Sequence, residues 1–114
     1  MLKEGAQAVL VLETPVPFAH QKKIGDLAIA KPLPAMFPGG QADAGGLLTY
    51  GTSVADAWPP ISVQADKIFK GTKPADIPVE VITRRDLIVN LRTAEKIGVP
   101  LSEDVRKQAN RVID

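Results

Sequence analysis

The sequence predicts an α/β fold, a parallel-sheet three-layer sandwich, and three observations carry that expectation. Ala8-Val9-Leu10-Val11-Leu12 is an unbroken apolar run with two β-branched residues, the pattern of a strand buried on both faces. It is followed by an amphipathic stretch and a second apolar run, Leu33-Pro34-Ala35-Met36-Phe37. That is a strand–helix–strand unit, whose crossover is right-handed almost without exception. Finally, 114 residues with 45% hydrophobic content and 24% charge suit one small globular unit or part of a larger one.

The elements follow in order. Glu13-Thr14-Pro15 ends the first strand, and Pro15 and Pro17 place a loop there. Residues 18–30 form a helix, with Phe18, Ile24, Leu27 and Ala28 on one side, Gln21, Lys22, Lys23 and Asp26 on the other, and Pro32 as its stop. Pro38-Gly39-Gly40 closes the second strand, residues 41–44 make a single helical turn, and residues 47–50 are a third strand. A further helix starts after Thr52 or Ser53 as N-cap. Trp58-Pro59-Pro60 then removes donors and forces a kink or restart near Pro60. Its apolar face continues through Ile61, Ala65, Ile68 and Phe69 to Lys70-Gly71. Residues 78–82 and 86–90 read as strands, and 93–97 as a short helix stopped by Gly98 and Pro100. Ser102 caps a last helix carrying Val105, Ala109, Val112 and Ile113.

Composition excludes several functions. A net charge of +1 offers no basic surface for nucleic acid, so no nucleic-acid partner is expected. Zero cysteines exclude a disulfide scaffold, a thiolate metal site and a cysteine nucleophile. One histidine, His20, cannot make a two-histidine zinc site within one chain and reads as a surface residue. Gly40 and Gly45 stand at the spacing of a phosphate-binding loop, but Gly46 and Leu47 replace the lysine and hydroxyl that reach the phosphates. A receiver-like signalling domain fails because only Glu13 is suitably placed among the acidic residues it needs. The expectation is a non-enzyme with no cofactor and no metal. Arg84-Arg85 reads as a solvated turn and Trp58 as packing. No secretory signal opens the chain, since Glu4, Gly5 and Gln7 interrupt the apolar stretch that a signal needs.

Ligands of open α/β sheets sit beyond the carboxyl ends of strands. Three loops meet that description, residues 13–17, 38–41 and 50–53, each rich in Pro, Gly or hydroxyl side chains.

Gly45-Gly46-Leu47-Leu48-Thr49-Tyr50-Gly51, followed by Ala65-Asp66-Lys67-Ile68-Phe69-Lys70-Gly71, Lys73-Pro74-Ala75-Asp76-Ile77-Pro78-Val79-Glu80 and Leu87-Ile88-Val89-Asn90-Leu91-Arg92-Thr93-Ala94, resembles the C-terminal part of ABC-transporter substrate-binding proteins with the periplasmic-binding-protein type I fold. The resemblance implies a C-terminal fragment of a two-lobed receptor. Residues 1–51 would be a strand-helix-strand segment of the C-terminal lobe, 52–77 a hinge-crossing helix of the other lobe, and 78–114 the returning strands and helices. It implies a periplasmic solute-binding component of an ABC-type importer, with an ABC permease as partner and a small amino-acid-like solute as ligand. Carried over by position, the ligand-binding residues are Thr14, Pro15, Phe37, Gly39, Gly40, Tyr50 and Gly51. Glu13-Thr14-Pro15-Val16 and Gly39-Gly40-Gln41-Ala42 depart from the family's usual loop sequences. Apolar faces built to meet absent protein imply a homo-oligomer or domain swap for the chain alone. The alternative is a self-associating module without transport function.

Overall fold

Residues 5–114 are described by the computed structural model; the first four, where no secretory leader was read, lie outside them. The strands are β1 (Val9–Leu10), β2 (Ala35–Pro38), β3 (Leu48–Gly51), β4 (Asp86–Asn90) and β5 (Arg111–Ile113). The helices are α1 (Pro15–Ala19), α2 (Gln21–Ala30), α3 (Trp58–Phe69), α4 (Leu91–Ile97) and α5 (Glu103–Gln108). The strands form one sheet in chain order, β1-β2-β3-β4-β5. Neighbours are parallel except β3 and β4, which run antiparallel from Leu48 against Val89 to Gly51 against Asp86. A mostly parallel α/β sheet is what the apolar runs predicted.

Alternation sorts the sheet into two faces. Val9, Val11, Ala35 and Phe37 point to one side, where Ile24 and Ala28 of α2 and Ala44 complete a core. The packing is close enough that a Cβ on Gly25 would lie 1.7 Å from the Ala44 carbonyl oxygen, which explains a glycine inside α2. A second cluster joins Leu47 to Ala94 and Ile97 of α4, with Ile29 of α2 beside it. The buried Thr93 hydroxyl donates to the Gly45 carbonyl at 3.1 Å, tying α4 to the turn before β3.

On the opposite face the register sets Leu10 beside Met36 and Met36 beside Leu48, with Tyr50 beyond them. Val89 is fully buried, whereas Leu10 is 67% exposed and Tyr50 48%. Cover on this face therefore stops short of β1. Parallel sheets are normally covered on both faces. The chain is also extended, with a radius of gyration of 17.8 Å where a compact chain of this length would have about 13 Å. The reason is the excursion between β3 and β4: none of residues 52–85 is buried, and α3 carries Trp58 and Phe69 at 62% and 87% exposure.

Several expectations need correction. Pro15 and Pro17 do not lie in a loop but in α1, Pro15 at its start, where the missing N–H is one the helix would leave unpaired anyway. The helix expected over 18–30 is two helices meeting at His20. Residues 78–82 form no strand; Pro78 lacks a donor, β4 is already paired on both sides, and Val79 and Val81 stand exposed. The last helix ends at Gln108 rather than carrying Ala109, Val112 and Ile113. Ala109 turns extended, the Asn110 N–H donates to the Leu87 carbonyl at 2.8 Å, and residues 111–113 join the sheet as β5. The helix restart expected near Pro60 occurs at Trp58, where a 3₁₀ turn capped by Ser53 passes into α3.

Candidate functional site

Because β1, β2 and β3 are parallel, their carboxyl ends share one edge of the sheet. β4 runs the other way, so its first residue, Asp86, reaches that same edge opposite Gly51. A cavity of about 530 Å³ opens there. Gly39 and Gly40 follow β2, Gly51 and Ser53 follow β3, Arg84 and Asp86 precede and begin β4, and Asn110 and Arg111 lead into β5. Asp43 and Asp56 project from 3₁₀ turns on either side.

Backbone proximity shapes the rim. A Cβ on Gly39 would stand 2.3 Å from the Thr52 carbonyl oxygen, so only glycine lets the β2 exit lie against the β3 exit. Gly51 has φ +141°, a conformation side chains rarely adopt, and its position also faces Gly39.

The polar groups are organised around Arg84. Its Nε donates to Asp86 Oδ1 at 3.3 Å and its Nη2 lies 3.1 Å from Asp86 Oδ2, a two-point contact suited to the planar guanidinium. Nη1 lies 4.0 Å from Asp56 Oδ1. The Asp86 hydrogen bond and charge, then the Asp56 charge, raise the guanidinium above its ordinary pKa, so it stays cationic. Thr52 Oγ1 donates to the Arg84 carbonyl at 2.7 Å. Arg111 and Asp43 form a looser pair at 4.0 Å. Two arginines and three aspartates thus surround hydroxyls and exposed backbone, an arrangement able to hold the separated charges of a small polar solute.

Of the residues expected from sequence, Gly39, Gly40 and Gly51 come together in this cavity. Tyr50 precedes it, with its side chain on the uncovered face. Phe37 is 1% exposed and packs in the core beneath the rim. Thr14 and Pro15 are exposed at the start of α1, beyond β1, and do not line the cavity. Sequence reasoning passed over Arg84, Asp56, Asp86, Asn110 and Arg111. The alternation Arg84-x-Asp86 at the mouth of a strand was the available signal, set aside when Arg84-Arg85 was read as a solvated turn.

Residues 30–113 match the protein family described as ABC transporter substrate binding protein. This chain belongs to that family. Its fold recurs in a conserved domain protein from Vibrio cholerae O1 biovar El Tor, with a TM-score of 0.89 at 18% identity over 97% of this chain. The ABC domain in complex with L-Trp from Streptococcus pneumoniae gives 0.85 at 22% identity over 98%. A ligand-free, open substrate binding protein with adhesive properties from Clostridium difficile gives 0.56 at 20% identity over 92%. The chain spans 38% of the length of the first two proteins and 36% of the third. No curated protein matches the sequence. Members of the family bind solutes for ABC transport systems. Among the described residues no helix is long and apolar enough to cross a membrane.

Proposed function

We propose that this chain supplies one wall of the ligand cleft in a two-lobed receptor that delivers a small amino-acid-like solute to an ABC permease for import. The observation that carries the reading is the cavity at the carboxyl ends of β2 and β3, placed where the chain leaves the sheet at Gly51 and re-enters it at Asp86. In this reading residues 52–77 belong to the opposite lobe, which accounts for an excursion without a single buried residue. The apolar side chains of α3 and the bare sheet face around Leu10 meet polypeptide of the complete receptor, consistent with relatives more than twice as long. Gly39, Gly40 and Gly51 are the candidate contacts within this cavity, Phe37 acts through its backbone, and Thr14, Pro15 and Tyr50, which lie outside the cavity, contact the solute only where the cleft of the complete receptor extends past it. Arg84 and Asp56 join them as partners for carboxylate and ammonium groups. An L-Trp complex among proteins of this fold supports an amino-acid-like ligand, and the family supports work on the periplasmic or extracellular side.

Thermal-shift titration of the complete two-lobed receptor with the common amino acids tests this directly, since a ligand that binds only the folded protein must raise its stability. A solute at 100 times its Kd adds about 2.7 kcal/mol. A selective rise in Tm, abolished by Arg84→Gln, is the expected result. No shift with any amino acid at millimolar concentration would refute the reading.

A further inference from the structure

The cavity has a floor as well as a rim. Phe37, Thr49, Ile88 and Arg111 stand directly opposite one another on β2, β3, β4 and β5, so they form one row on one face of the sheet. Phe37 is covered by the core, Thr49 and Ile88 line the cavity, and Arg111 stands at its far side. Arg111 meets Asp43, which follows β2, at 4.0 Å. Because β2 and β5 lie three strand spacings of about 4.8 Å apart, that pair bridges the floor from side to side. Thr49 is 3% exposed, and this chain buries it without help from any other polypeptide. The other buried threonine, Thr93, donates its hydroxyl to the Gly45 carbonyl, whereas Thr49 Oγ1 has no hydrogen-bond partner among the described residues. Among those residues Gln41 Oε1 is the one buried side-chain polar atom sealed off without a partner. Thr49 Oγ1 is therefore not sealed; it opens onto the cavity.

We propose that Thr49 is a specificity-determining residue and that the cavity takes an amino-acid-like solute whose side chain ends in an uncharged hydrogen-bonding group, an amide or a hydroxyl. This rests on the receptor reading and adds the class of side chain. A hydrocarbon end set on the floor would cut the Thr49 hydroxyl off from water and leave it unpaired. A site with a buried polar group rejects an analogue that cannot pair with it far more strongly than an apolar pocket rejects a missing methylene. A carboxylate end is opposed by charge. The cavity sets Asp43, Asp56 and Asp86 against Arg84 and Arg111, and each arginine already faces a carboxylate. The ammonium and carboxylate of an amino acid cancel, but a second carboxylate adds negative charge with no cation left to meet it. Amides and hydroxyls carry no charge and both donate and accept, as Thr49 Oγ1 does.

Isothermal titration calorimetry of the complete two-lobed receptor with near-isosteric amino acids tests the assignment. The sets are L-asparagine with L-leucine and L-aspartate, L-glutamine with L-glutamate, and L-threonine with L-valine. In the set that binds, the uncharged polar member should bind about tenfold more tightly than its hydrocarbon or acidic counterpart, the scale of one hydrogen bond in a buried site. Thr49→Val keeps the side-chain shape and should erase the preference over the hydrocarbon, while Thr49→Ser keeps the hydroxyl and should retain it. Tightest binding by leucine, valine, aspartate or glutamate overturns the inference, and so does a Thr49→Val receptor that keeps the parent's preference; either result leaves the receptor reading intact. Failure of every amino acid to bind refutes the receptor reading, and the inference falls with it.

Discussion

Replacing Phe37 separates the core from the cleft, because this residue sits one step from the rim yet is 1% exposed. Its ring packs among Val11, Ala28, Ala35 and Ala44, and Gly46 leaves it room: a Cβ there would stand 2.3 Å from a ring carbon. A buried aromatic side chain removes roughly 150–250 Å² from water, worth about 4–6 kcal/mol at about 25 cal/mol per Å². Truncation to alanine would cost about 3–5 kcal/mol, a large share of the total stability of a small protein. Phe37→Leu keeps most of the apolar volume and should cost about 1–2 kcal/mol. With a urea m-value of about 2 kcal/mol/M, the midpoint falls by roughly 0.5–1 M at unchanged m. Tyr50→Ser, on the uncovered face, should stay within about 0.5 kcal/mol. If Tyr50→Ser lowered the midpoint as much as Phe37→Leu, the assignment of Phe37 to the core and Tyr50 to the bare face would be wrong.

Gly39→Ala should destabilise by about 1–3 kcal/mol, since the new methyl meets backbone rather than a flexible side chain, and the two strand exits must part; a melting curve matching the parent would show that the exits are not in contact. The Asn90 side chain accepts from the Thr93 amide at 3.0 Å at the start of α4. Asn90→Ala should therefore cost about 1 kcal/mol and speed hydrogen exchange at that amide, and unchanged exchange would exclude the cap. Studied alone, the 114-residue chain should self-associate at micromolar concentration through the uncovered face near Leu10 and the apolar side of α3, with Phe69→Ser shifting it toward monomer in light scattering. A monodisperse monomer would show those faces to be tolerated in water.

Much of the architecture was legible because it is written locally. The apolar run at residues 8–12, the helical spacing of Ile24, Leu27 and Ala28, and the caps Ser53 and Ser102 each report on a few neighbouring residues, and each lies at or within two residues of its predicted place. The resemblance in residues 45–94 led to the family, and three glycines of the cavity rim followed from the rule that ligands gather at strand ends. Errors arose where a residue's state depends on a distant partner. Residues 78–82 have strand composition and no edge to pair with, while residues 111–113 look helical in sequence and become a strand because Leu87 offers one. Arg84 looked like one solvated charge among many; its meeting with Asp86 and Asp56 requires β4 to return antiparallel beside β3.

Sequence alone determined the α/β class, the caps Ser53 and Ser102 that start two helical segments, and the lack of cysteine and of a second histidine in the chain, since these depend on residue identity and short-range spacing. Only the tertiary structure decided which apolar faces are covered, which strands pair, and which charges share the cavity. Burial and pairing are properties of two surfaces brought together across tens of residues, and no local pattern specifies whether the second surface is present.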